Sequence, residues 1–342
     1  MIYNYGNKNR CFFALIASCV WKETLILRTS NRNSLLKHLF ISEKYMAKQF
    51  FIFLFCFFYG AVRTLSAQNL EQSIRAYLVG KQAEVGVAVI FNGTDTLTVN
   101  NDNRYPLMSV VKFHQALAVA DTLTALSESV DHEVLVTPED LKPNTYSPLR
   151  DRYPQGNVTL PLRTLLEYTL QQSDNNACDL LFRLYGGPQA TDRYIRSLGL
   201  TDFAVQVTED DMHRDAQTCY DNWSTPLEAV RLMEIFLKKS LFAKPIQEFL
   251  KTTLMECKTG TDRLPAPLAG TGARIGHKTG TSDRDASGRW TAINDLGFVL
   301  LPDGRYYTIA VFVKHSRESA ENTARIIADI SRLVYSSFSK KR

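Results

Sequence analysis

The sequence predicts an α/β fold, in which an antiparallel sheet built from both chain ends is flanked by helices and accompanied by an all-helical subdomain. Segments rich in β-branched residues lie near both ends of the chain, whereas the long middle has helical composition. Turns as short as Pro302-Asp303-Gly304 join the later strands, and such short connections permit only antiparallel pairing. We therefore expect the α/β part to comprise residues 68–105 and 260–342, and the helical part residues 106–259.

The positive charge of the chain is concentrated at its beginning. The 342 residues carry a formal net charge of +5, but residues 1–67 hold nine Lys/Arg and only two acidic residues, which leaves the remainder at a net charge of about −2. A protein that binds nucleic acid needs a basic face. The charge distribution therefore argues against nucleic acid as a partner.

Residues 46–67 have the pattern of a secretory signal peptide. Met46-Ala-Lys-Gln is a short basic start, Phe50–Val62 is almost wholly apolar, and small residues lead to Ala67, after which we expect cleavage. The apolar run is too short to span a bilayer comfortably. This pattern predicts a periplasmic protein with no stable membrane span after processing, and a retained signal anchor is the alternative.

Residues 1–45 do not fit this scheme, because a signal peptide normally begins the chain. We expect translation to start at Met46, with residues 1–45 as an over-extended reading frame or a disordered leader.

The elements after the leader follow from local signals. A short amphipathic helix is predicted over Gln68–Leu78, and a hairpin over Val85–Val99 with its turn at Asn92-Gly93. A helix follows Ser109, because the next residues include alanines and leucine without Gly or Pro. Further helices are predicted at Leu160–Leu170, Ala177–Tyr185, Gln189–Leu198 and Pro226–Leu237, strands at Ala273–Thr281, Ile293–Leu301 and Tyr306–Lys314, and a final helix at Ser319–Ser336.

The helix after Ser109 begins with a possible nucleophile and base. Residues three apart on a helix share a face, so the Ser109 hydroxyl and the Lys112 ammonium can meet. A lysine whose pKa is lowered by burial or by another cation can take the proton of a serine. Ser-x-x-Lys also occurs at Ser34 and Ser337, in the basic leader and at the C-terminus, where we interpret both matches as accidental. The pattern is therefore weak without partners elsewhere.

Two further motifs supply those partners. Ser173-Asp174-Asn175 lies between two predicted helices, where such residues usually form a cap and turn. Lys278-Thr279-Gly280-Thr281 lies on a late strand, whereas the similar Lys258-Thr-Gly-Thr follows an amphipathic helix. The strand context favours the copy that begins at Lys278 as the functional one.

Ser-x-x-Lys, Ser-Asp-Asn and Lys-Thr-Gly in this order are the motifs of class A β-lactamases and penicillin-binding proteins. The sequence resembles a class A serine β-lactamase over residues 68–342, and its details resemble the PER/CfxA/CblA-like branch. Those details are Glu209-Asp-Asp-Met-His213, Tyr220-Asp-Asn-Trp-Ser, Thr259-Gly-Thr-Asp-Arg263 and Asn294-Asp295. Tyr146-Ser-Pro stands where the family as a whole has an aromatic lip of the substrate cleft. The resemblance implies the serine β-lactamase/D,D-peptidase fold.

The resemblance also implies a mechanism. Ser109 would attack the lactam carbonyl, with Lys112 or a water held by Glu209 as the base. The backbone amides of Ser109 and Thr281 would form the oxyanion hole, and Ser173 would protonate the departing nitrogen. Glu209 would activate the water that hydrolyses the acyl-enzyme.

Substrate binding is implied for a second set of residues. Asn175 would contact the side-chain amide of the substrate and steady Lys112, and Tyr146 would form an aromatic lip. Arg263 and the Lys278-Thr279-Gly280 strand would hold the substrate carboxylate. His213 stands where most class A enzymes have an asparagine that helps to hold the water, so either a role at the water or a structural role in the loop is open.

No metal or cofactor is expected. His114, His132, His277 and His315 lack metal-ligand spacing, which disfavours a zinc lactamase. The six cysteines do not form a disulfide framework, and we expect those of the body to be small buried residues with at most one disulfide. Met108 with Ser282, and Ala116 with Leu166, occupy positions at which some relatives have disulfides.

The function predicted from these motifs is hydrolysis of penicillins and cephalosporins, and hence antibiotic resistance, by a monomeric enzyme. The alternatives are a D,D-peptidase of the penicillin-binding class and a penicillin sensor that stays acylated. Glu209 and the compact single-domain length count against the peptidase, whereas a sensor should have membrane helices and a signalling domain, which are not visible in the sequence.

Overall fold

A five-stranded antiparallel sheet is the centre of this computed structural model, which describes residues 69–340 within a unit spanning Ala67–Arg342. The predicted leader, signal peptide and cleavage site lie outside the described residues, as does Gln68. The strands are β1 Glu84–Phe91, β2 Asp95–Val99, β3 Tyr105–Pro106, β4 Glu133–Val136, β5 Val158–Pro161, β6 Phe203–Ala204, β7 Trp223–Ser224, β8 Arg274–Thr281, β9 Trp290–Leu300 and β10 Tyr306–Ser316.

Helices cover the sheet and form the middle of the chain. They are α1 over 69–78, α2 Val111–Leu126, α3 Pro148–Arg152, α4 Leu162–Gln171, α5 Asn175–Leu184, α6 Gly187–Ser197, α7 Glu209–Arg214, α8 Pro226–Lys238, α9 Lys244–Met255 and α10 Ala320–Ser339. None of the helices within residues 69–340 has the length and apolar character needed to cross a bilayer.

The sheet joins the two ends of the described chain. Its strand order is β2-β1-β10-β9-β8, and β1 pairs with β10 from Glu84 opposite Lys314 to Phe91 opposite Tyr307. The first hairpin turns at Asn92 and Gly93, whose φ angles of 49° and 73° explain the need for these two residue types. The predicted fold class, with an antiparallel sheet from both ends, is confirmed.

Both faces of the sheet are buried. Successive residues of a strand point to opposite faces, so each strand contributes side chains to both. Val85, Val87 and Val89 of β1 pack with α10, whereas Ala88 and Ile90 join the core of the helical part. The sheet therefore separates two apolar cores.

The helical part contains short strands that the sequence patterns did not predict. β4 pairs with β5, so α4 begins at Leu162 rather than at the predicted Leu160. β3, β7 and β6 form a second small sheet. Two-residue strands are too short for alternation to be visible in a sequence, which explains their omission.

α2 passes through the centre of the helical part. Eleven of its sixteen residues are buried, including the polar residues Lys112, His114 and Gln115. Burial on nearly every side fixes the start of this helix, where Ser109 lies, against its neighbours.

Candidate active site

Ser109 lies in the 3₁₀ turn Met108–Val110 immediately before α2. Met108 has a φ of 48°, a conformation that non-glycine residues seldom adopt. The preceding residues are tied down by two hydrogen bonds: the Leu107 amide donates to the Asn222 carbonyl at 2.8 Å, and Asn294 Nδ2 donates to the Pro106 carbonyl at 2.7 Å. The turn therefore presents the serine from a fixed backbone.

Lys112 is fully buried and its ammonium is surrounded by oxygen atoms. Nζ lies 2.8 Å from Ser109 Oγ, 2.9 Å from the Ser173 carbonyl, 2.6 Å from Asn175 Oδ1 and 2.8 Å from Glu209 Oε1. An ammonium has only three hydrogens for these four acceptors. The arrangement keeps both Lys112 and a carboxylate within reach of the Ser109 proton.

Glu209 begins α7 and is 8% exposed, which differs from the solvated position that is usual for a glutamate in an acidic loop. Its Oε1 lies 3.4 Å from Ser109 Oγ. The start of the helix is held by a capping box, in which Thr208 and Asp211 bond to each other's backbone amides. The helix thus positions a carboxylate beside the serine hydroxyl.

Asp179 anchors the start of α7 through backbone hydrogen bonds, and the sequence analysis did not predict this role. Its carboxylate accepts hydrogen bonds of 2.8 Å from the backbone amides of Glu209 and Asp210. Burial, followed by the negative charge of Glu209, raises the pKa of Asp179 to about 7. Its position four residues after Asn175, on the same face of α5, is the signal that could have identified it.

Ser173-Asp174-Asn175 combines a turn with a cap, as the sequence predicts. Ser173 has a φ of 62°, and Asp174 caps α5 by accepting from the Ala177 amide at 2.9 Å. The same buried carboxylate accepts from the Leu149 amide and from Ser147 Oγ. Asn175 accepts from Lys112 and donates from Nδ2 to Thr145 Oγ1 at 2.7 Å, so both ends of its amide are fixed.

Lys278 reaches from β8 to the Ser-Asp-Asn turn. Its buried Nζ donates to Ser173 Oγ at 2.8 Å and to the Thr279 carbonyl at 2.9 Å. Burial and then the nearby charge of Lys112 lower the pKa of Lys278 to about 7. Ser173 therefore contacts both lysines of the site: its carbonyl accepts from Lys112 and its hydroxyl accepts from Lys278.

The end of β8 lies at the edge of the sheet beside Ser109. The Ser282 amide bonds to the Ala292 carbonyl of β9, so the amide of Thr281 points away from the sheet, because alternate amides of a strand point to opposite sides. A Cβ on Gly280 would lie 2.5 Å from the Leu107 carbonyl oxygen. Only glycine lets the strand approach the Ser109 turn this closely.

Arg263 and Thr259 support this strand from its other side. Arg263 is 9% exposed, and its Nη1 donates to the carbonyls of Gly280 and Asn294 at 3.0 and 2.9 Å. Its Nη2 donates to Thr281 Oγ1 at 2.7 Å. The hydroxyls of Thr259 and Thr279 lie 2.6 Å apart. The upstream Lys-Thr-Gly copy therefore supports the strand copy through its threonine, while its Lys258 is exposed.

Two predicted residues lie at more exposed positions. Tyr146 is 59% exposed, and its carbonyl accepts a 3.1 Å hydrogen bond from the Asn175 amide. His213 is an exposed residue of α7, one turn after Glu209, and lines a cavity of about 220 Å³ together with Asn144 and Asp179. The structure thus brings the three motifs and Glu209 together, with Tyr146 and His213 nearer the surface.

Comparisons of the sequence and of the structure with known proteins point to the same enzyme family. The sequence model of the Beta-lactamase enzyme family matches residues 69–338. A β-lactamase of Bacteroides uniformis is 45% identical over 275 residues, which is 80% of this chain and 93% of the relative. The extended-spectrum β-lactamase PER-1 of Pseudomonas aeruginosa is 38% identical over 79% of this chain and 88% of its own. The crystal structure of a class A β-lactamase from Bacteroides cellulosilyticus superposes with a TM-score of 0.78 at 43% identity, covering 81% of this chain and 99% of that one.

Proposed function

The chain belongs to the β-lactamase enzyme family as a class A β-lactamase, an enzyme that hydrolyses β-lactam antibiotics and confers resistance, and we propose that it does so through an acyl-enzyme on Ser109. The observation that carries the proposed mechanism is the position of the buried Glu209 carboxylate, 3.4 Å from Ser109 Oγ. A base at that position can activate water against an ester formed on the serine. A base that activates this water distinguishes a hydrolase that turns over from a protein that stays acylated.

Acylation uses the group of contacts around Lys112. Ser109 Oγ attacks the lactam carbonyl, and its proton passes either to Lys112, 2.8 Å away, or through a water to Glu209. The outward-pointing Thr281 amide and the Ser109 amide at the start of α2 stabilise the charge that develops on the carbonyl oxygen. Gly280 permits this geometry by allowing the strand to lie close to the turn.

Ring opening requires a proton on the departing nitrogen. Ser173 supplies it, and the 2.8 Å hydrogen bond that Lys278 donates to Ser173 Oγ orients the hydroxyl. Because the Ser173 carbonyl also accepts from Lys112, the proton donor and the nucleophile are positioned by the same buried network.

Substrate recognition relies on fixed cations and hydroxyls. Lys278 and Thr279 bind the substrate carboxylate, while Arg263 adds positive charge and holds Thr281. Asn175 donates to the side-chain amide of the substrate, and exposed Tyr146 lies beside it as the lip of the cleft. His213, one turn after Glu209, is the proposed neighbour of the hydrolytic water.

Secretion belongs to the same proposal. Residues 46–67 act as a signal peptide, and the match to the family begins at residue 69, close to the predicted cleavage after Ala67. N-terminal sequencing of the periplasmic protein is expected to read Gln68 first, and a sequence that begins at Met1 would contradict the proposal. Light scattering of the secreted protein is expected to give the mass of a monomer.

The test of the function is a kinetic comparison of the wild type with Ser109→Ala. The wild type is expected to hydrolyse a chromogenic cephalosporin over many turnovers, and the variant to be inactive while remaining folded by circular dichroism. A single burst from the wild type, or faster cleavage of a D-alanyl-D-alanine peptide than of the cephalosporin, would instead identify a penicillin sensor or a D,D-peptidase.

A further inference from the structure

The segment that carries Glu209 is closed at its base by the fully buried Asn222. The amides of Gln206 and Val207 donate to Asn222 Oδ1 at 2.7 and 3.1 Å, and Asn222 Nδ2 donates to the Val207 carbonyl at 2.9 Å. We call residues 207–222 the Glu209 loop. Its two ends leave and rejoin the body of the protein at one fixed point, and beyond that point its position depends on other contacts.

Two short helices follow each other within the Glu209 loop, and Asp215 is the single residue between them. The Asp215 amide donates to the Asp211 carbonyl at the end of α7 at 3.0 Å. The Asp215 side chain caps the 3₁₀ helix Ala216–Asp221 by accepting from the Gln217 amide at 3.0 Å. Because one residue serves both helices, a displacement of the 3₁₀ helix is passed on to α7 and to Glu209.

Tyr220 ties this 3₁₀ helix to the sheet. It begins the Tyr-Asp-Asn-Trp-Ser motif, which the proposed mechanism does not use. The Tyr220 hydroxyl lies 3.0 Å from His315 Nε2 near the end of β10. The other ring nitrogen of His315, Nδ1, lies 2.8 Å from Glu84 Oε1 at the start of β1. A continuous chain of hydrogen bonds therefore runs from the Glu209 loop to two paired strands.

The donors and acceptors of this chain are mutually consistent. Burial opposes ionisation of Glu84, but the hydrogen bond from His315 and the charge of Lys314 hold the pKa of Glu84 below its ordinary value. An ionised carboxylate only accepts, so His315 Nδ1 donates to it. A phenol hydroxyl both donates and accepts, and Tyr220 therefore pairs with Nε2 whether or not that nitrogen carries a proton.

The backbone of β10 is distorted at the residue that contacts Tyr220. His315 has a φ of 53°, in the left-handed region that non-glycine residues seldom adopt. The pairing with β9 continues on both sides of it, from Lys314 opposite Ala292 to Ser316 opposite Trp290. Residues persist in such conformations where surrounding contacts hold them, and they cluster at functional sites. The contacts of the His315 ring to Tyr220 and Glu84 are such restraints.

We propose that Tyr220, His315 and Glu84 form a clasp that holds the Glu209 loop in the arrangement needed for deacylation. The three are positioning residues, because they act through Glu209. Acylation is affected less, since Lys112 remains 2.8 Å from Ser109 Oγ as a proton acceptor outside the loop. The effect on deacylation rests on the proposed function, whereas the restraint on the loop does not.

The first experiment measures the restraint independently of catalysis. Hydrogen–deuterium exchange followed by mass spectrometry compares the wild type with Tyr220→Phe, which removes only the hydroxyl. We expect faster exchange in peptides covering residues 209–221, because the loop opens more often without the clasp. Tyr306→Phe is the matched control, because it removes a tyrosine hydrogen bond of 2.6 Å to Glu234 at the opposite end of β10. It should leave the exchange of the Glu209 loop unchanged. Wild-type exchange in this loop of Tyr220→Phe would overturn the proposal.

The second experiment separates the two chemical steps. Rapid quenching and intact-protein mass spectrometry during reaction with a chromogenic cephalosporin give the acylation and deacylation rate constants. For Tyr220→Phe we expect deacylation to slow by about three- to tenfold, the range that the loss of one hydrogen bond gives, with acylation changed less than twofold. Where deacylation limits turnover, kcat and KM then fall together and kcat/KM is retained. General destabilisation would instead lower kcat through the active fraction and leave KM unchanged. An unchanged deacylation rate constant in Tyr220→Phe would overturn the proposal.

A double-mutant cycle tests whether the contact itself is responsible. Asparagine tolerates the left-handed conformation, so His315→Asn keeps the backbone while its shorter side chain loses Tyr220. The double variant Tyr220→Phe/His315→Asn should deacylate no more slowly than His315→Asn, because one contact is lost only once. Additive losses would overturn the clasp, and Tyr220→Phe alone remains decisive if His315→Asn does not fold. A wild type that the cephalosporin never acylates, with loop exchange that still responds to Tyr220→Phe, would locate the failure in the proposed function.

Discussion

Lys112 is the residue on which the proposed acylation step depends most. Its ammonium lies within 2.9 Å of oxygens from the nucleophile, the Ser-Asp-Asn turn and Glu209. Lys112→Ala removes one of the two proposed proton acceptors and the cation that contacts both Ser109 and Glu209, so we expect the acylation rate constant to fall by about 10²- to 10⁴-fold. Stopped-flow mixing with a chromogenic cephalosporin measures this rate constant.

Lys258→Ala is the matched control, because this lysine begins the upstream Lys-Thr-Gly copy and is exposed. It should acylate at the wild-type rate. Acylation of the Lys112→Ala variant at that same rate would remove Lys112 from the mechanism.

His114 predicts a pH dependence of stability. The fully buried ring on α2 is held neutral, because burial lowers its pKa from 6.5 to about 4. Its stabilising contribution is therefore complete above pH 6.5 and is lost as the pH falls towards 4, by about 3 kcal/mol in all. Urea unfolding at a series of pH values should show a smaller loss between pH 7 and 4 for His114→Gln than for the wild type. Parallel curves for the two proteins would contradict this assignment.

Spacing predicted one local contact of the site, and the family resemblance supplied distant residues such as Glu209, but the tertiary contacts of Asp179 and His277 were missed. The three-residue spacing of Ser109 and Lys112 predicts their contact, and the structure has them 2.8 Å apart. Asp179 reaches the amide of Glu209 across thirty residues, and His277 meets Asp295 across two strands. Neither pair has a spacing pattern, because the folded chain alone brings them together.

At the scale of elements, the approach of β8 to the Ser109 turn decides whether the proposed oxyanion hole can form. Gly280→Ala would place a Cβ 2.5 Å from the Leu107 carbonyl oxygen, so the strand and the turn must separate. We expect kcat/KM to fall about tenfold or more, since the loss of one oxyanion donor costs at least that much. The measurement is steady-state hydrolysis at a temperature where the variant remains folded.

Gly276→Ala on the same strand is the control. Its Cβ would collide with the Phe298 ring, away from the Ser109 turn. It should lower the melting temperature with a much smaller effect on kcat/KM. Equal losses of kcat/KM in the two variants would show that general destabilisation of the strand is the cause.

Elements with a strong pattern were predictable, and short or tertiary ones were not. The Val85–Val99 hairpin and the late strands were predicted because strand-like, β-branched composition and turn residues agree. The start of α4 was predicted two residues early, because the last two residues of Val158–Pro161 belong to strand β5, which pairs with the distant strand β4. Pairing between segments more than twenty residues apart has no local signature.

At the scale of the whole molecule, the two ends of the described chain stabilise each other. Phe338 of α10 is 6% exposed and packs against the rings of Phe91 and Tyr307, at centroid distances of 4.9 and 5.7 Å. We expect Phe338→Ala to lower the free energy of unfolding by about 3–5 kcal/mol. Urea denaturation measures the change, and kcat should be retained because this core lies across the sheet from the site.

Leu135→Ala provides the comparison, because Leu135 is 54% exposed and its truncation should cost less than about 1 kcal/mol. A similarly small cost for Phe338→Ala would mean that α10 contributes little to holding the sheet together.

Glu209 is proposed to enable turnover by activating the water that hydrolyses an ester on Ser109, and intact-protein mass spectrometry of Glu209→Gln during reaction with a cephalosporin tests this role most directly. Asp210→Asn is the control, because it changes the neighbouring acidic side chain only. We expect the Glu209→Gln variant to accumulate one covalent adduct on Ser109 after a single burst, while the wild type and Asp210→Asn turn over without accumulating it. Sustained turnover by Glu209→Gln at the wild-type rate would contradict the account.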